Sequence, residues 1–321
     1  MRNIVVHCAR ACTSCGIGAL LLMSLLACGK KEQPIPKPPS RDTVFKATYA
    51  TDQQPVVRDY YLLDTAWLKD DSLKELSGMV RSSAKDGATL WGEEDSGNKN
   101  VLYLMDTSGR KVCEASLQGA FNRDWEDLAG GPGPKTGKYY LYLGDIGDNL
   151  FIFPFITIYR FIEPAPVPGN VNITAFDAIN LLYPDGPHNA EALMVDPRTK
   201  DIYIITKDAQ AGLYVARYPQ NIHKATKLIK LGVLPISTVT AADISPDGDH
   251  ILIKNYKSVF YWHRQPDETI SDCLQQAPKR LDYHAEPQGE SIAWSSSGKG
   301  FYTITEKVGS KPPVLFHYKS K

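Results

Sequence analysis

The amino-acid sequence predicts an all-β fold and, within that class, a β-propeller. The first observation is a repeated unit, seen in residues 188–208, in which an acid precedes an apolar run, a polar turn and a second run rich in β-branched and aromatic residues. Two such runs joined by a tight turn form a β-hairpin. The second observation is that the unit recurs about every 50 residues, a period typical of propeller blades. The leading acids of the five copies are Glu75, Glu126, Glu191, Asp243 and Glu290.

Five copies predict five blades, and the two ends of the chain are expected to share the last one. The copy that begins at Glu290 has three strand-like runs, whereas the copy at Glu191 has four. Residues 60–68 precede the first copy and have no hairpin of their own, so we expect them to supply the missing outer strand and close the sheet edge. The long interval between Glu126 and Glu191 carries extra strand-like runs and leaves six blades as the alternative.

The N-terminal segment resembles a bacterial lipoprotein signal. Arg2 and Arg10 supply positive charge, and the apolar run at 16–27 is short for a membrane span. The sequence LLAC at 25–28 resembles a lipobox, which implies cleavage before Cys28 and acylation of its thiol. The alternative is an ordinary secretory signal with a chance cysteine.

The chain therefore divides into a signal peptide at 1–27, a tether at 28–56 and a propeller domain at 57–321. The tether is rich in proline and poor in apolar residues, which predicts an extended, semi-rigid spacer. We expect the protein to lie in the bacterial cell envelope, held to membrane lipid through Cys28.

The composition limits the class of partner. The 321 residues carry 36 basic and 36 acidic side chains, so the formal net charge is zero. Nucleic-acid-binding proteins usually carry a basic excess, so we expect no nucleic acid partner. We also expect a monomer. Cys113 and Cys273 fall in different repeats and are expected to be free, buried thiols, with a disulfide between them as the alternative.

Propeller geometry predicts where the acids meet. The innermost strand of each blade lines a channel, and the segment entering it shares a face with the turn after the second strand. The leading acids should therefore ring one channel mouth, where two carboxylates about 6 Å apart repel by roughly 3 kcal/mol. The hairpin ends add Asp95, Asp145, Asp208, Asn255 and Glu306. A bound cation would offset the repulsion, and so would the neighbouring lysines Lys207, Lys254 and Lys307.

Two motifs on this face add oxygen ligands. The run GDIGDN at 144–149 offers two carboxylates and an amide of the kind that Ca²⁺ prefers, with a locally hydrogen-bonded turn as the alternative. In DWED at 124–127 the acids are the site candidates, and Trp125 is expected to be a wedge between blades. We favour a divalent cation, most simply Ca²⁺. The predicted metal ligands are Glu75, Asp95, Glu126, Asp145, Asp148, Glu191, Asp243, Glu290 and Glu306.

Candidate catalytic residues follow from the same face. His188 and His284 lie just ahead of leading acids, and either could act as a base or a ligand, although a single loop histidine is more often a hydrogen-bonding group. The chain lacks a G-x-S-x-G elbow and an H-E-x-x-H motif. The predicted catalytic residues are His188, Glu191 and Glu290. The predicted substrate-binding residues are Lys207, Lys254 and Lys307.

Six motifs carry a family resemblance: DWEDLA, YLGDIGDN, YRFIEP, HNAEALMVDP, ADISPDG and EPQGESIAW. In this order, over about residues 75–307, they resemble bacterial secreted propellers of the phytase-like and esterase-like kind and, more distantly, calcium-dependent β-propeller phytases. The resemblance implies a propeller in which acids hold Ca²⁺ while basic side chains hold phosphate. The matching positions are Asp145, Asp148, Glu191, Asp243 and Glu290, with Lys207, Lys254 and Lys307 as basic partners. Propeller lactonases, another neighbour, hold a divalent ion with Glu, Asn and Asp.

Two classes of function fit these expectations. In the first, the protein is a metal-dependent hydrolase of a phosphoester, an ester or a lactone, and the ion polarises the substrate and activates a water. In the second, it is a non-catalytic surface binding module whose ion is structural, because a fold does not imply an activity. Turnover of a substrate in Ca²⁺ and not in chelator distinguishes the two.

Overall fold

Nearly all of the regular secondary structure in the described chain is β-strand. The computed structural model describes residues 44–70, 73–84, 89–165 and 168–321. The predicted signal peptide, Cys28 and most of the predicted tether lie outside these ranges. Within them are 24 strands and one short helix.

The single helix lies late in the chain, between the twentieth and the twenty-first strand. Three strands precede the first repeat: β1 (Phe45–Lys46), β2 (Val56–Val57) and β3 (Tyr60–Trp67). The next nine are β4 (Leu76–Arg81), β5 (Thr89–Glu94), β6 (Val101–Asp106), β7 (Lys111–Leu117), β8 (Trp125–Pro132), β9 (Tyr139–Asp145), β10 (Ile156–Ile162), β11 (Gly169–Ile173) and β12 (Asp177–Leu182). Then come β13 (Ala190–Val195), β14 (Ile202–Thr206), β15 (Ala211–Ala216), β16 (Thr226–Lys227), β17 (Ile229–Leu234), β18 (Val239–Ile244), β19 (His250–Asn255) and β20 (Val259–His263). The last are α1 (Ile270–Gln275), β21 (Lys279–Leu281), β22 (Gly289–Trp294), β23 (Gly300–Thr305) and β24 (Val314–Ser320).

Each sheet is one blade. From the innermost strand outward, the sheets are β4-β5-β6-β7-β11 in blade 1, β8-β9-β10-β12-β16 in blade 2, β13-β14-β15-β17-β1 in blade 3, β18-β19-β20-β21-β2 in blade 4 and β22-β23-β24-β3 in blade 5. The innermost strands contact one another in a closed ring, in the order β4, β8, β13, β18, β22 and back to β4. The fold is a five-bladed β-propeller, as predicted, and the six-blade alternative is wrong.

The N-terminal strand closes the ring. Strand β3 pairs antiparallel with β24, from Tyr60 opposite Ser320 to Trp67 opposite Val314. The buried Tyr60 ring packs edge-on against the rings of Trp294 and Phe301, with centroid distances of 6.0 and 5.5 Å. The predicted supply of the last outer strand by residues 60–68 is therefore confirmed.

Four blades carry a fifth, parallel outer strand that the sequence analysis did not predict. In blade 3 this strand is β1, with Phe45 opposite Gly232, and in blade 4 it is β2, with Val56 opposite Arg280. The Phe45 ring fills the space that a side chain at residue 232 would occupy, since a Cβ there would lie 2.3 Å from ring atoms. The described part of the predicted tether therefore lies against the propeller and does not extend freely. Three of the four outer strands, β1, β2 and β16, have two residues each and are too short to show the period-two alternation that identifies a strand.

Five hydrophobic clusters hold the blades together, one at each interface between neighbours. Trp125, which is fully buried, belongs to the cluster between blades 1 and 2, as expected of a wedge. Cys113 and Cys273 are free and buried, as predicted. Among the described residues, no helix has both the length and the apolar character needed to cross a bilayer.

Candidate functional site

Each innermost strand begins with a β-bulge. The register shifts fall between Leu76 and Met79, Trp125 and Asp127, Ala190 and Ala192, Val239 and Ala241, and Gly289 and Ser291. A bulge re-aims the side chain of the extra residue, and bulges are common next to binding sites. In blades 2, 3 and 5 the extra residue is an acid: Glu126, Glu191 and Glu290. The equivalent positions in blades 1 and 4 are occupied by Ser77 and Thr240.

Two predicted members of the acidic ring, Glu75 and Asp243, therefore do not occupy bulge positions. Glu75 is exposed, precedes the bulge of blade 1 and accepts a hydrogen bond from Asn98 Nδ2 at 2.8 Å. Asp243 lies three residues beyond Thr240, inside β18, where its carboxylate accepts the backbone N–H of Trp294 at 2.8 Å and approaches Arg81 Nη1 at 3.5 Å. Its expected place at the mouth is corrected: Asp243 joins blade 4 to blade 5 and neutralises a buried guanidinium. Burial raises the pKa of Asp243 to about 6.

Three carboxylates from blades 1 and 2 converge at the mouth. One oxygen from each of Asp95, Asp124 and Glu126 lies within 4.8 Å of the others. We call these three residues the acidic triad. Asp124 and Glu126 are buried, while Asp95 is half-buried. The sequence analysis named Asp124 only as one of the acids of the DWED motif and did not include it among the predicted metal ligands. The reason is that Asp124 precedes the innermost strand of blade 2, whereas the site was predicted at the start of that strand.

A glycine lets the blade 2 loop approach the triad. A Cβ at Gly147 would lie 2.3 Å from Glu126 Oε1 and 2.5 Å from Asp124 Oδ2, so a side chain at this position would displace both carboxylates. The backbone N–H groups of Ile146 and Gly147 donate to the carbonyl oxygen of Asp124 at 3.2 and 3.1 Å. The GDIGDN loop thus forms one wall of the triad.

The two aspartates of that loop organise it. Asp145 accepts the backbone N–H of Asp124 at 3.0 Å and lies 3.4 Å from Arg123 Nε. Asp148 accepts the backbone N–H groups of Ile152 and Phe153 at 3.0 and 2.8 Å, one on each oxygen. These contacts are those of the hydrogen-bonded turn that was the alternative to direct metal ligation.

Two further glutamates present oxygens without a partner. Glu93 is fully buried; its Oε1 accepts the Gly78 N–H at 2.6 Å, and its Oε2 has no hydrogen-bond partner in the described structure. Glu191 is 4% exposed, and its Oε2 is equally without a partner among the described residues. A buried carboxylate oxygen without a donor carries a desolvation cost that a proton or a cation would remove. The sequence analysis did not predict Glu93, because this residue lies on the second strand of its blade. Its carboxylate fits against the backbone of Gly78, where a Cβ would lie 2.6 Å from Oε1.

Burial and mutual repulsion shift the titration of these acids. Burial, and then the neighbouring Glu191 carboxylate, raise the pKa of Glu126 well above its ordinary value. Burial raises the pKa of Glu191 to about 8, even though Lys207 acts in the opposite direction. The same cause raises the pKa of Asp95 to about 6 and that of Glu306 to about 7. Burial therefore makes ionisation of several mouth carboxyls costly, and a bound cation would offset that cost.

A lysine and a tyrosine connect two of the bulge glutamates. Lys207 Nζ forms an ion pair with Glu191 Oε1 and donates to the Tyr256 hydroxyl at 3.1 Å. Tyr256 in turn donates to Glu290 Oε1 at 2.5 Å. Burial alone would lower the pKa of Lys207, but the Glu191 carboxylate, the Tyr256 hydroxyl and the Glu290 charge together outweigh it, and the pKa is raised. We call Glu191, Lys207, Tyr256 and Glu290 the polar bridge. Tyr256 was not predicted, since nothing in the sequence around it marks a tyrosine as part of a charged site.

In the described structure, no side-chain hydrogen bond or ion pair joins the other two predicted lysines to the side chains of the polar bridge. Lys254 is fully buried and donates to the carbonyl oxygen of Gly289, and burial lowers its pKa to about 8. Lys307 is exposed, and its backbone N–H donates to the carbonyl oxygen of Lys74 at 2.7 Å. Of the three lysines predicted to bind substrate, Lys207 is the one whose side chain belongs to the polar bridge.

The predicted histidines make their contacts outside the triad. His188 Nδ1 lies 3.2 Å from Asp208 Oδ2, and its Nε2 lies 3.0 Å from the Tyr214 hydroxyl. His284 is exposed, and its backbone N–H donates to the Tyr318 hydroxyl at 3.2 Å.

Comparison with known proteins adds no relative to this picture. No family model matches the chain, and no curated protein matches it. Function therefore has to be inferred from the geometry and charge of the mouth.

Proposed function

We propose that the protein is a cell-envelope β-propeller that binds a divalent cation at the acidic mouth of its channel. The observation that carries this proposal is the acidic triad, whose ligand oxygens lie within 4.8 Å of one another. Charges at such distances repel by several kcal/mol at an effective dielectric constant of about 20, whereas an ion between them converts the repulsion into attraction. The buried, unpartnered oxygens of Glu93 and Glu191 supply a second reason to expect a ligand here.

The donor set favours Ca²⁺ among the common divalent ions. The triad offers only carboxylate oxygens, which are hard ligands, and contains no histidine or cysteine that would favour zinc. Ca²⁺ accepts six to eight oxygens in flexible geometry, so it can use a mouth crowded with carboxylates from several blades. Mg²⁺ requires a nearly ideal octahedron and keeps several of its waters.

The lipobox-like sequence around Cys28 supports a site close to a membrane. Acylation of Cys28 would hold the propeller at the cell envelope, with the residues between Cys28 and Val44 as the remaining tether. The site would then act on, or bind, molecules at the envelope.

The polar bridge favours a metal-dependent hydrolase as a second candidate function. An ion in the triad would supply polarisation of a phosphoester, ester or lactone oxygen. The Lys207 ammonium group would attract an oxyanion through its charge. The Glu191 carboxyl has one oxygen free of hydrogen bonds to the described residues and a pKa of about 8, so it would exchange a proton with the substrate. A binding module with a structural ion would need the triad but not the polar bridge.

Calorimetric titration of the chelator-treated, full-length protein with Ca²⁺ tests the proposal. We expect saturable binding that is lost in the Glu126→Gln variant and retained in Asp247→Asn, which alters a turn at the opposite end of β18. Heat of binding that is absent, or equal in the two variants, would contradict a cation site at the triad. A screen of phosphoester, ester and lactone substrates with Lys207→Met as the test variant then separates enzyme from binding module.

A further inference from the structure

One loop on the mouth face differs from its four counterparts. The connection from β9 to β10, residues 146–155, carries the run LFIFPF, whereas the equivalent connections at 95–100, 207–210, 256–258 and 306–313 are shorter and mostly polar. Leu150, Phe151 and Ile152 are 74%, 53% and 62% exposed. Phe121, in the segment that enters β8 on the same face, is 71% exposed. We call residues 150–155 together with Phe121 the apolar finger.

The apolar finger is held in place by its polar neighbours. Both oxygens of Asp148 accept backbone N–H groups from the loop, at Ile152 and Phe153. Arg123 Nη1 donates to the Phe155 carbonyl oxygen at 3.0 Å, and its guanidinium lies 4.1 Å from the centre of the Phe153 ring. Phe151 has a φ of 56°, a conformation that is costly for an aromatic residue. The chain thus fixes large apolar side chains in water, and exposed apolar groups of this kind mark an interaction surface.

Exposed lysines surround the same mouth. They lie in the segments that enter the innermost strands or follow the second strands of blades 1, 4 and 5. They are Lys74, Lys99, Lys257 and Lys307. The mouth face therefore combines an acidic centre, a rim on which these four lysines outnumber the exposed Glu75, and an apolar projection. A basic rim beside an apolar projection complements an anionic lipid surface, which offers phosphates at the level of the lysines and acyl chains beneath them.

The length of chain before the described domain permits this orientation. About 16 residues separate Cys28 from Val44, and at up to about 3.5 Å per residue they span as much as about 55 Å. An acylated Cys28 would therefore allow the domain to turn its mouth face toward the bilayer that anchors it.

We infer that the mouth face docks on an anionic phospholipid surface, with the apolar finger entering the boundary between head groups and acyl chains and the lysine rim contacting head-group phosphates. The inference takes the lipid anchor from the proposed function but does not depend on the cation site. A cation in the acidic triad would then face the head groups and would lessen repulsion between the mouth and the anionic surface.

An environment-sensitive fluorophore at the tip of the finger tests the docking. The full-length, lipidated Leu150→Cys variant is labelled with a nitrobenzoxadiazole dye and reconstituted in vesicles of phosphatidylglycerol and phosphatidylethanolamine. Labelling is specific in the processed, lipidated protein, because cleavage before Cys28 would remove Cys8, Cys12 and Cys15 and acylation would block Cys28. Cys113 and Cys273 are 3% and 2% exposed. The matched control is Ile229→Cys, since Ile229 is 50% exposed at the start of β17, away from the mouth. We expect a blue shift, a several-fold gain in intensity and quenching by nitroxide-labelled lipid at residue 150 only.

Further measurements vary the lipid charge, the lysine charge and the metal, and they distinguish docking on anionic lipid from the other outcomes. Phosphatidylcholine vesicles, or the double change Lys257→Glu and Lys307→Glu, should reduce the signal at residue 150 several-fold, whereas chelator should leave most of it. If the protein is not acylated, co-sedimentation of the unanchored chain with anionic and neutral vesicles measures the same preference. Equal signals at residues 150 and 229, or no preference for anionic vesicles, would overturn the inference. A parent that is dimeric in solution, with an Ile152→Asp variant that is monomeric, would identify the finger as a subunit contact and overturn it too. A parent protein that docks on anionic vesicles but does not bind Ca²⁺ would contradict the cation site and would leave the docking inference standing.

Discussion

The backbone of Gly147 lies against the carboxylate of Glu126, so close that a Cβ on residue 147 would stand 2.3 Å from Oε1. The contact joins a loop that follows the second strand of blade 2 to the bulge that opens the first strand of the same blade. It holds the triad oxygens of Glu126 and Asp124 on one side, while Asp95 approaches from blade 1. The backbone at Gly147 thus limits the space that the carboxylates of Glu126 and Asp124 can occupy.

A first prediction follows from this contact. Gly147→Ala should abolish most of the Ca²⁺-induced rise in melting temperature, because the new methyl group must displace Glu126 and Asp124. Overpacking of this kind should also lower the free energy of unfolding in chelator by about 1–3 kcal/mol. Thermal melts with Ca²⁺ and with chelator measure both effects. Gly131→Ala, in β8 of the same blade, is the matched control, since its nearest contact is a methyl group of Val195 at 3.1 Å. An equal loss of the Ca²⁺ response in that control would contradict the explanation.

A second prediction concerns charge rather than shape. Glu126→Gln keeps the size of the side chain but removes one negative charge, so the chelator-treated protein should hold its stability or gain some. Its response to Ca²⁺ should shrink, against an expected stabilisation of the parent by about 2.7 kcal/mol at about a hundredfold excess over Kd. Asp247→Asn should respond like the parent. If Glu126→Gln keeps the full response, the triad is not the site.

Three glutamates of the mouth were predictable from sequence, and the reason is physical. An acid at the start of an otherwise apolar innermost strand is costly unless a bulge turns it toward the mouth, so Glu126, Glu191 and Glu290 stand out. In blades 1 and 4 the bulge positions are Ser77 and Thr240, which carry no charge, and the nearest acid in the sequence is not at the bulge. The position of a bulge depends on how the strand pairs with its neighbour, and the sequence of one strand does not specify that pairing.

A third prediction concerns ring closure. Tyr60→Ala should lower the free energy of unfolding by about 3–5 kcal/mol, because Tyr60 is 8% exposed and its ring fills the space between blades 4 and 5. Its neighbour Tyr61 is 41% exposed, and Tyr61→Ala should change stability by about 0.5 kcal/mol or less. Chemical denaturation of both variants measures the difference. Similar losses in the two would show that β3 is not a closing strand in solution.

A fourth prediction tests the anchor. Cys28→Ala should prevent acylation and release the protein from lipid attachment, since a diacylated cysteine binds through about 0.8 kcal/mol for each buried methylene. Metabolic labelling with a fatty-acid analogue should mark the parent and not the variant. Labelling that survives the substitution would contradict acylation of Cys28.

The fifth prediction concerns pH in the absence of metal. Burial raises the folded-state pKa of Asp95 to about 6, of Glu306 to about 7 and of Glu191 to about 8, whereas the unfolded values are about 4. Between about pH 4 and 8 the folded state therefore binds more protons than the unfolded state, so its free energy of unfolding falls as pH rises. Lys254 acts in the opposite direction at higher pH: its folded pKa is about 8 and its unfolded value about 10.4, so stability rises with pH between them.

The free energy of unfolding in chelator should consequently pass through a minimum near pH 8. Saturating Ca²⁺ should flatten the acidic limb, because the ion replaces the protons that the mouth carboxyls hold. Urea denaturation from pH 5 to 10, with and without Ca²⁺, gives both curves. Lys254→Met should remove the rise above pH 8 and leave the acidic limb unchanged, and Glu191→Gln should make the acidic limb shallower. A metal-free protein that gains stability steadily from pH 5 to 8 would show that the mouth acids are ionised in the folded state, with the polar bridge and the lysine rim supplying the counter-charge.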